Sequence, residues 1–218
     1  MTAPTGNYQW RRWLFGLVVL LLVSCLETAC VTSKDPRVIA TSTETPINRI
    51  ERGLMDATDL PFGWRRESTG VPRDLPGGII ARYRDYRGPT DTPIFVRAGQ
   101  SIALYASETE SDAVYQKAAK EMIPIEYVDK WPKPTELDFA IQADSIIIGC
   151  HAGVINGISA RTCVVVARYG KLVTTLDGQV FEDRWLTMEQ FRHLLERVDA
   201  KMEKIREPQA DSAPTSEP

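Results

Sequence analysis

The sequence predicts an α+β fold in which an antiparallel β-sheet is sandwiched between helices within a single domain. Two observations lead to this prediction. Residues 46–205 show helical spacing of apolar residues at the start, in the middle and at the end, with strand-like segments between them. From Ser145 to about Leu176 the strand-like segments follow one another through short turns, which antiparallel pairing allows and parallel pairing does not. A region of about 160 residues has the length of one domain with a proper core.

The first half of this region predicts one helix and two β segments. A helix is expected from Pro46, because proline is tolerated in a first turn and an apolar face follows at Ile47, Ile50, Leu54 and Ala57. Residues 78–87 alternate like a half-buried strand, with one face formed by Ile79, Ala81 and Tyr83 and the other by Arg82, Arg84 and Tyr86. A second β segment is expected over about 94–107, with Gly99 as a bulge or turn.

The second half predicts two helices around a β-meander. The middle helix is expected to open at Thr109 as a capping residue, followed by acids that suit a positive first turn. Three prolines then exclude regular structure until about Leu137, namely Pro124, Pro132 and Pro134. From Ser145 the chain is strongly β, and apolar residues at both parities predict strands covered on both faces. Thr187 and Gln190 form a capping box for a last helix that buries one face on the sheet.

Two cysteines are expected to face each other within the meander. Asn156-Gly157 favours a two-residue type I′ hairpin, which fixes the register so that residues whose numbers sum to 313 are paired. Cys150 then lies opposite Cys163 at a non-hydrogen-bonded pair, where side chains approach closely. We therefore expect a disulfide, which an oxidising compartment would preserve. Two buried free cysteines are the alternative.

Residues 1–24 have the layout of an export signal. A basic region at Arg11 and Arg12 precedes an apolar run from Trp13 to Val23. A run of this length is typical of a signal peptide, whereas a spanning helix needs about 20 apolar residues. The body of the protein is therefore expected outside the cytoplasm.

A cysteine follows this run in a context that suggests lipid attachment. Leu22-Val23-Ser24-Cys25 resembles the lipobox of bacterial lipoproteins, which implies acylation of Cys25, for example with palmitate, and anchoring to the cell membrane. Cys30 is the competing acceptor, but Glu27 occupies the place of an aliphatic residue. An uncleaved anchor helix that reaches about Cys30 is the alternative.

The segments that flank the domain differ from it in composition. Residues 25–45 are rich in Thr, Ser and charge and are expected to form a lipid-anchored flexible tether, and residues 206–218 a disordered tail. The formal charge of −3 becomes −5 without the signal peptide, because 24 basic residues then stand against 29 acidic ones. This balance argues against a nucleic-acid partner.

The order helix, β segments, helix, β-meander, helix resembles the photosystem II oxygen-evolving subunit P family (PsbP-like). The start Asp59-Leu60-Pro61-Phe62-Gly63-Trp64 and the Tyr169-Gly170 turn also resemble extracytoplasmic sensor or lipoprotein domains of bacteria. The resemblance covers about 47–205 and implies an α/β/α arrangement. Such folds host scaffolds, sensors and binding modules, so the resemblance implies no particular chemistry.

One group of residues stands out as a possible contact with a ligand or partner: Trp64, Arg82, Arg84 and Tyr86. Guanidinium groups suit phosphate or carboxylate, and aromatic rings offer a stacking surface. The alternative is a solvated strand face whose arginines pair with acids elsewhere in the chain, with Trp64 as a core anchor.

No catalytic residue, metal ligand or cofactor is predicted. His151 and His193 lack neighbours at metal-ligand spacing, and the segment around Ser159 lacks the second glycine of a nucleophile elbow. The sequence therefore favours a non-enzymatic binding, interaction or sensor module, held at the membrane by lipid, that meets an envelope protein or a small ligand. An extracytoplasmic hydrolase with a dispersed site is the alternative.

Overall fold

The computed structural model describes residues 44–90, 95–123 and 131–206. The predicted signal peptide, Cys25, Cys30, nearly all of the tether and nearly all of the tail lie outside the described residues, so those assignments stay predictions. Among the described helices, none is both long and apolar enough to cross a membrane.

Six strands form one open antiparallel sheet in the order β1-β2-β3-β6-β5-β4. The strands are β1 Arg65–Gly70, β2 Ile80–Arg87, β3 Arg97–Leu104, β4 Ser145–Ile155, β5 Ile158–Tyr169 and β6 Leu172–Phe181. The helices are α1 Pro46–Gly53, α2 Glu108–Met122 and α3 Met188–Ile205, with short 3₁₀ turns at Ala57–Asp59 and Thr135–Leu137. The predicted α+β class, the single domain and the antiparallel sheet are confirmed.

Apolar cores lie on both faces of the sheet. Along β5 the side chains alternate, so that Val165 and Ala167 join one core while Val164 and Val166 join the other. The first core includes residues of α1 and α3, and we name that side of the sheet the α3 face; the second includes residues of α2, and we name that side the α2 face. The expectation that both faces of the meander are covered is confirmed.

The predicted start of α3 is confirmed and that of α2 is wrong by two residues. Thr187 Oγ1 accepts from Gln190 N at 3.3 Å and Gln190 Oε1 accepts from Thr187 N at 2.9 Å, which completes the capping box. The N-cap of α2 is Ser107 rather than Thr109, because Ser107 Oγ accepts a hydrogen bond from Glu110 N.

Gly99 is neither a bulge nor a turn, contrary to the sequence prediction. It pairs in regular register with Asp85 of β2 and with Asp177 of β6. A methyl group on Gly99 would lie 2.6 Å from Asp85 Oδ1 and 2.9 Å from Asp177 Oδ1. The glycine is therefore needed for the space it leaves to two carboxylates, and not for a special backbone conformation.

The predicted hairpin register is confirmed for every pair of β4 and β5, from Ser145 opposite Arg168 to Ile155 opposite Ile158. The two turn residues both have positive φ, as a type I′ turn requires. Cys150 lies opposite Cys163 with their Cα atoms 4.0 Å apart, and the two form a disulfide. The prediction of this bridge, drawn from turn chemistry alone, is thus confirmed.

Candidate functional site

The end of the β4–β5 hairpin projects beyond the core. We name residues 151–161 the hairpin arm, because most of its side chains are exposed; Ile155 and Ile158 are half-buried, and Ala160 is buried in the core. Cys150 and Cys163 are buried just before the arm begins. The disulfide therefore joins the two strands at the base of the arm and limits how far they can separate.

An open cleft of about 450 Å³ lies beside the hairpin arm, where the arm meets the first turn of α3. Its apolar part is formed by Val180, Phe181 and Met188. Its polar part carries Ser159, Arg161, Glu136 and Glu182, and the remaining lining residues are Ala152, Gly153 and Ala160. The lining thus combines polar and apolar groups and can contact a ligand that carries both.

Arg161 is the distinctive side chain of this cleft. Its side chain is exposed, and it has no ion-pair or hydrogen-bond partner among the described residues. Two carboxylates, Glu136 and Glu182, share the lining with it. The cleft can therefore offer opposite charges to a ligand, and a guanidinium can pair with carboxylate or phosphate.

Two of the four predicted contact residues, Trp64 and Tyr86, are buried. Trp64 Nε1 donates to the carbonyl oxygen of Trp185 at 3.1 Å, and Tyr86 Oη donates to that of Met55 at 2.9 Å. Burial raises the pKa of Tyr86. These partners make both side chains part of the core, which is the alternative that the sequence left open for Trp64.

The other two, Arg82 and Arg84, lie on the α3 face and meet α1. Both pair with Glu51, Arg82 Nε at 3.6 Å and Arg84 more closely, and Arg84 also donates to the carbonyl oxygen of Met55 at 3.2 Å. Both arginines are thus paired with an acid elsewhere in the chain, as the alternative interpretation expects. Contact of these residues with a ligand stays a prediction.

Asp85 and Asp177 approach each other over Gly99 on the α2 face. Burial raises the pKa of Asp177 to about 6; Arg97 at 3.6 Å opposes this shift, and Asp85 and Asp74 add to it. A carboxyl group with a pKa near neutrality beside a second carboxylate is an arrangement that acid–base catalysts use.

The two histidines and Ser159 lie in separate places. His151 stacks on Trp131 with ring centroids 5.3 Å apart, and His193 is exposed on α3 beside Glu196, with 3.0 Å between Nδ1 and Oε2. Ser159 lines the cleft without either histidine. Within the described ranges, no group of three or more His, Cys, Asp or Glu side chains is arranged to hold a metal ion.

The sequence prediction missed Arg161. The segment from Gly157 to Arg161 lacks the pattern of a nucleophile elbow, and no other motif in the sequence selects its arginine. The signal was nevertheless present, because the predicted register places Arg161 and Ser159 two residues apart on one face of an exposed hairpin end.

No family model matches the chain. No curated protein matches it either.

Proposed function

We propose that this protein is a membrane-anchored extracytoplasmic lipoprotein whose domain is a non-enzymatic binding module, with its ligand site in the cleft beside the hairpin arm. One observation carries the proposal. Arg161, a guanidinium without a partner among the described residues, lies on the rim of an open cleft with an apolar floor. A polar group placed to converge on such a cleft is what orients a bound ligand.

The lining of the cleft indicates the class of ligand. Arg161 suits an anionic group, Glu136 and Glu182 suit a cationic group, and Val180 and Met188 suit an apolar body. An amino acid or a short peptide carries all three features. We therefore infer a zwitterionic ligand with an apolar side chain.

The proposed extracytoplasmic location is supported by two independent features. The signal-like segment 1–24 is followed by Cys25 in a lipobox-like context. The bridge between Cys150 and Cys163 is a bond that persists in oxidising compartments and is rare in the cytosol. Lipid at Cys25 would hold the domain at the membrane surface, where more than one acyl chain gives firm anchoring.

The resemblance to PsbP-like and extracytoplasmic sensor domains belongs to the same proposal. The antiparallel sheet with helical elements on both faces is compatible with it. Folds of this kind commonly serve binding rather than one shared chemistry, so the resemblance supports a module and names no ligand.

A ligand screen with two matched variants tests the cleft. Thermal unfolding of wild type, Arg161→Gln and Arg66→Gln is followed with a panel of amino acids and dipeptides. Arg66 is the control, because its side chain is also exposed and makes no ion pair or hydrogen bond in the described part of the chain, but it lies outside the cleft. A true ligand raises the melting temperature of wild type and Arg66→Gln by mass action and leaves Arg161→Gln unchanged. An equal shift in all three proteins, or no shift with any compound, contradicts the assignment.

A hydrolase is the second candidate, and the pair Asp85 and Asp177 favours it. A largely buried carboxyl group with a raised pKa, close to a second carboxyl group, can transfer protons in a hydrolytic reaction. Turnover of chromogenic esters or glycosides by the purified protein, abolished in Asp177→Asn and kept in Arg161→Gln, would replace binding by catalysis as the function.

A further inference from the structure

Phe62 is fully exposed to solvent at the tip of the turn that leads into β1. Trp64 N donates to the carbonyl oxygen of Pro61, and Gly63 takes the positive φ of 91° that this turn requires. Trp64 itself is buried, so the turn is fixed to the core while Phe62 faces solvent. A single exposed apolar residue needs no explanation, but this one belongs to a larger patch.

Three arginines lie side by side next to this turn. Arg65 of β1 is directly opposite Arg87 of β2, which is directly opposite Arg97 of β3. Like charges in directly opposite positions destabilise a sheet. Arg87 has Glu67 at 4.0 Å and Arg97 has Asp177 at 3.6 Å, whereas Arg65 has no partner among the described residues.

A second exposed phenylalanine joins the turn to the arginine row. Phe95 is partly exposed and lies under the guanidinium of Arg87, with 4.9 Å from Cζ to the ring centroid. A methyl group on Gly63 would lie 3.0 Å from Pro89 Cγ, so the turn packs against the β2–β3 connection that carries Phe95. One surface thus combines Phe62, Phe95, Arg65, Arg87 and Arg97, and we name it the arginine–phenylalanine patch.

We propose that the arginine–phenylalanine patch docks the domain on an anionic lipid bilayer. Phenylalanine gains free energy by partial burial at the boundary between headgroups and acyl chains, and arginine is attracted to anionic headgroups. The patch offers both, because the exposed ring of Phe62 and the partly exposed ring of Phe95 lie beside three guanidinium groups. A function at this surface also explains why like charges are kept in cross-strand register, at a cost to stability.

The bilayer is a better match than a soluble acidic protein for this small patch. Stable protein–protein contacts bury about 800 Å² on each partner. A domain that is anchored to the bilayer needs far less, because its anchor keeps the patch at a high effective concentration. In this respect the inference rests on the proposed lipid anchor at Cys25.

The tether is long enough to let the patch contact the bilayer to which Cys25 is anchored. α1 begins at the other end of the sheet, where Arg49 Nε donates to the carbonyl oxygen of Ile205 and Arg206 pairs with Asp144 just before β4. The patch therefore lies about one strand length away, roughly 25 Å for the eight residues of β2. The segment 25–45 can span up to about 65 Å when extended.

Amide hydrogen exchange of the full, anchored chain tests the docking. The protein is reconstituted into vesicles of phosphatidylcholine alone and of phosphatidylcholine mixed with phosphatidylglycerol. We expect peptides that cover residues 60–68 to exchange on the order of tenfold more slowly on the anionic vesicles, and added salt to remove the difference. Phe62→Ser and the charge reversal Arg65→Glu should abolish this protection.

Two variants remote from the patch serve as controls. Ile79→Ser removes an exposed apolar side chain near the opposite end of β2, and Lys120→Glu reverses an exposed charge on α2. Both should keep the protection, and unchanged melting temperatures show that all variants are folded. Equal exchange on both vesicle types, or protection that survives Phe62→Ser and the charge reversal, overturns the docking. Protection that appears only when an acidic protein fraction is added overturns it in favour of a protein partner.

The same preparation separates the docking from the proposed anchor. Retention of wild type on vesicles after a high-salt wash reports the anchor alone. Retention without protection refutes the docking and leaves the anchor intact. Loss of wild type in the wash refutes the anchor and the docking that depends on it.

Discussion

Replacing Asp177 with asparagine is expected to stabilise the protein at neutral pH. Burial raises the pKa of this carboxyl group from its ordinary 3.8 to about 6, so the ionised form is disfavoured in the folded state. The folded protein therefore bears a cost above pH 6 that falls between pH 6 and 4 and is absent at lower pH. Asparagine keeps the size and shape of the side chain and removes the charge.

The magnitude follows from the pKa and the contacts. A rise of about two units corresponds to about 3 kcal/mol at most. Because the Asp177 side chain is 31% exposed, solvent screens part of this cost, and the variant also loses the ion pair with Arg97 at 3.6 Å. We expect a net gain of about 1–2 kcal/mol, or a rise of about 2–8 °C in melting temperature for a domain of this size.

Urea unfolding at pH 7.5 and at pH 4 provides the assay. Asp177→Asn should be more stable than wild type at pH 7.5, and the two should converge at pH 4. Asp183→Asn is the control: hydrogen bonding to Arg184 lowers the pKa of this exposed carboxyl group, so its replacement should bring no gain at neutral pH. If Asp177→Asn is less stable than wild type at pH 7.5, or if its gain in stability is the same at both pH values, the ionised Asp177 carboxyl group does not destabilise the folded protein.

Two further predictions concern the bonds that hold the sheet in place. Replacing both Cys150 and Cys163 with alanine should lower the free energy of unfolding by up to about 3 kcal/mol, because the bridge closes a chain separation of 13 residues; urea curves that coincide with wild type would contradict this. Arg84→Met should lower it by about 1–2 kcal/mol, because Glu51 then keeps only the longer ion pair with Arg82 and the Met55 carbonyl oxygen keeps only one of its two hydrogen bonds. Arg66→Met, without such partners among the described residues, should change thermal stability by less than about 0.5 kcal/mol, and an equal loss in both variants would refute the role of Arg84.

Features encoded by short-range chemistry were predictable from the sequence. Asn156-Gly157 can adopt the type I′ turn at low cost in free energy, and a two-residue turn permits only one register. This register predicts that Cys150 lies opposite Cys163. The capping box of α3 is equally local, because Thr187 and Gln190 satisfy each other's backbone groups.

Features set by distant parts of the chain were not predictable. β1 has no apolar residue and lies at the edge of the sheet, so its sequence carries no alternation to detect. Arg82 and Arg84 alternate with aromatics like a solvated face, yet α1 covers that face with Glu51, which is some thirty residues earlier in the chain. The space that Gly99 leaves for carboxylates on both neighbouring strands is likewise visible only once the sheet is assembled.

The candidate site was only partly within reach of the sequence for the same reason. The cleft combines the hairpin arm with Met188 at the start of α3 and Glu136 from a 3₁₀ turn. No spacing along the chain links these segments, because their proximity depends on the sheet order and on the packing of α3. The exposure of Phe62 beside the buried Trp64 also needed the structure, since both residues belong to one aromatic turn in the sequence.

Whether this protein is a lipid-anchored extracytoplasmic module can be decided from the mass of the N-terminal peptide of protein extracted from membranes with detergent. We expect Cys25 to be the first residue and to carry acyl chains, and we expect Cys25→Ser protein to be released from the membrane fraction. Wild-type protein that begins at Met1 with an unmodified Cys25, or a Cys25→Ser variant that is processed and retained like wild type, would contradict this expectation.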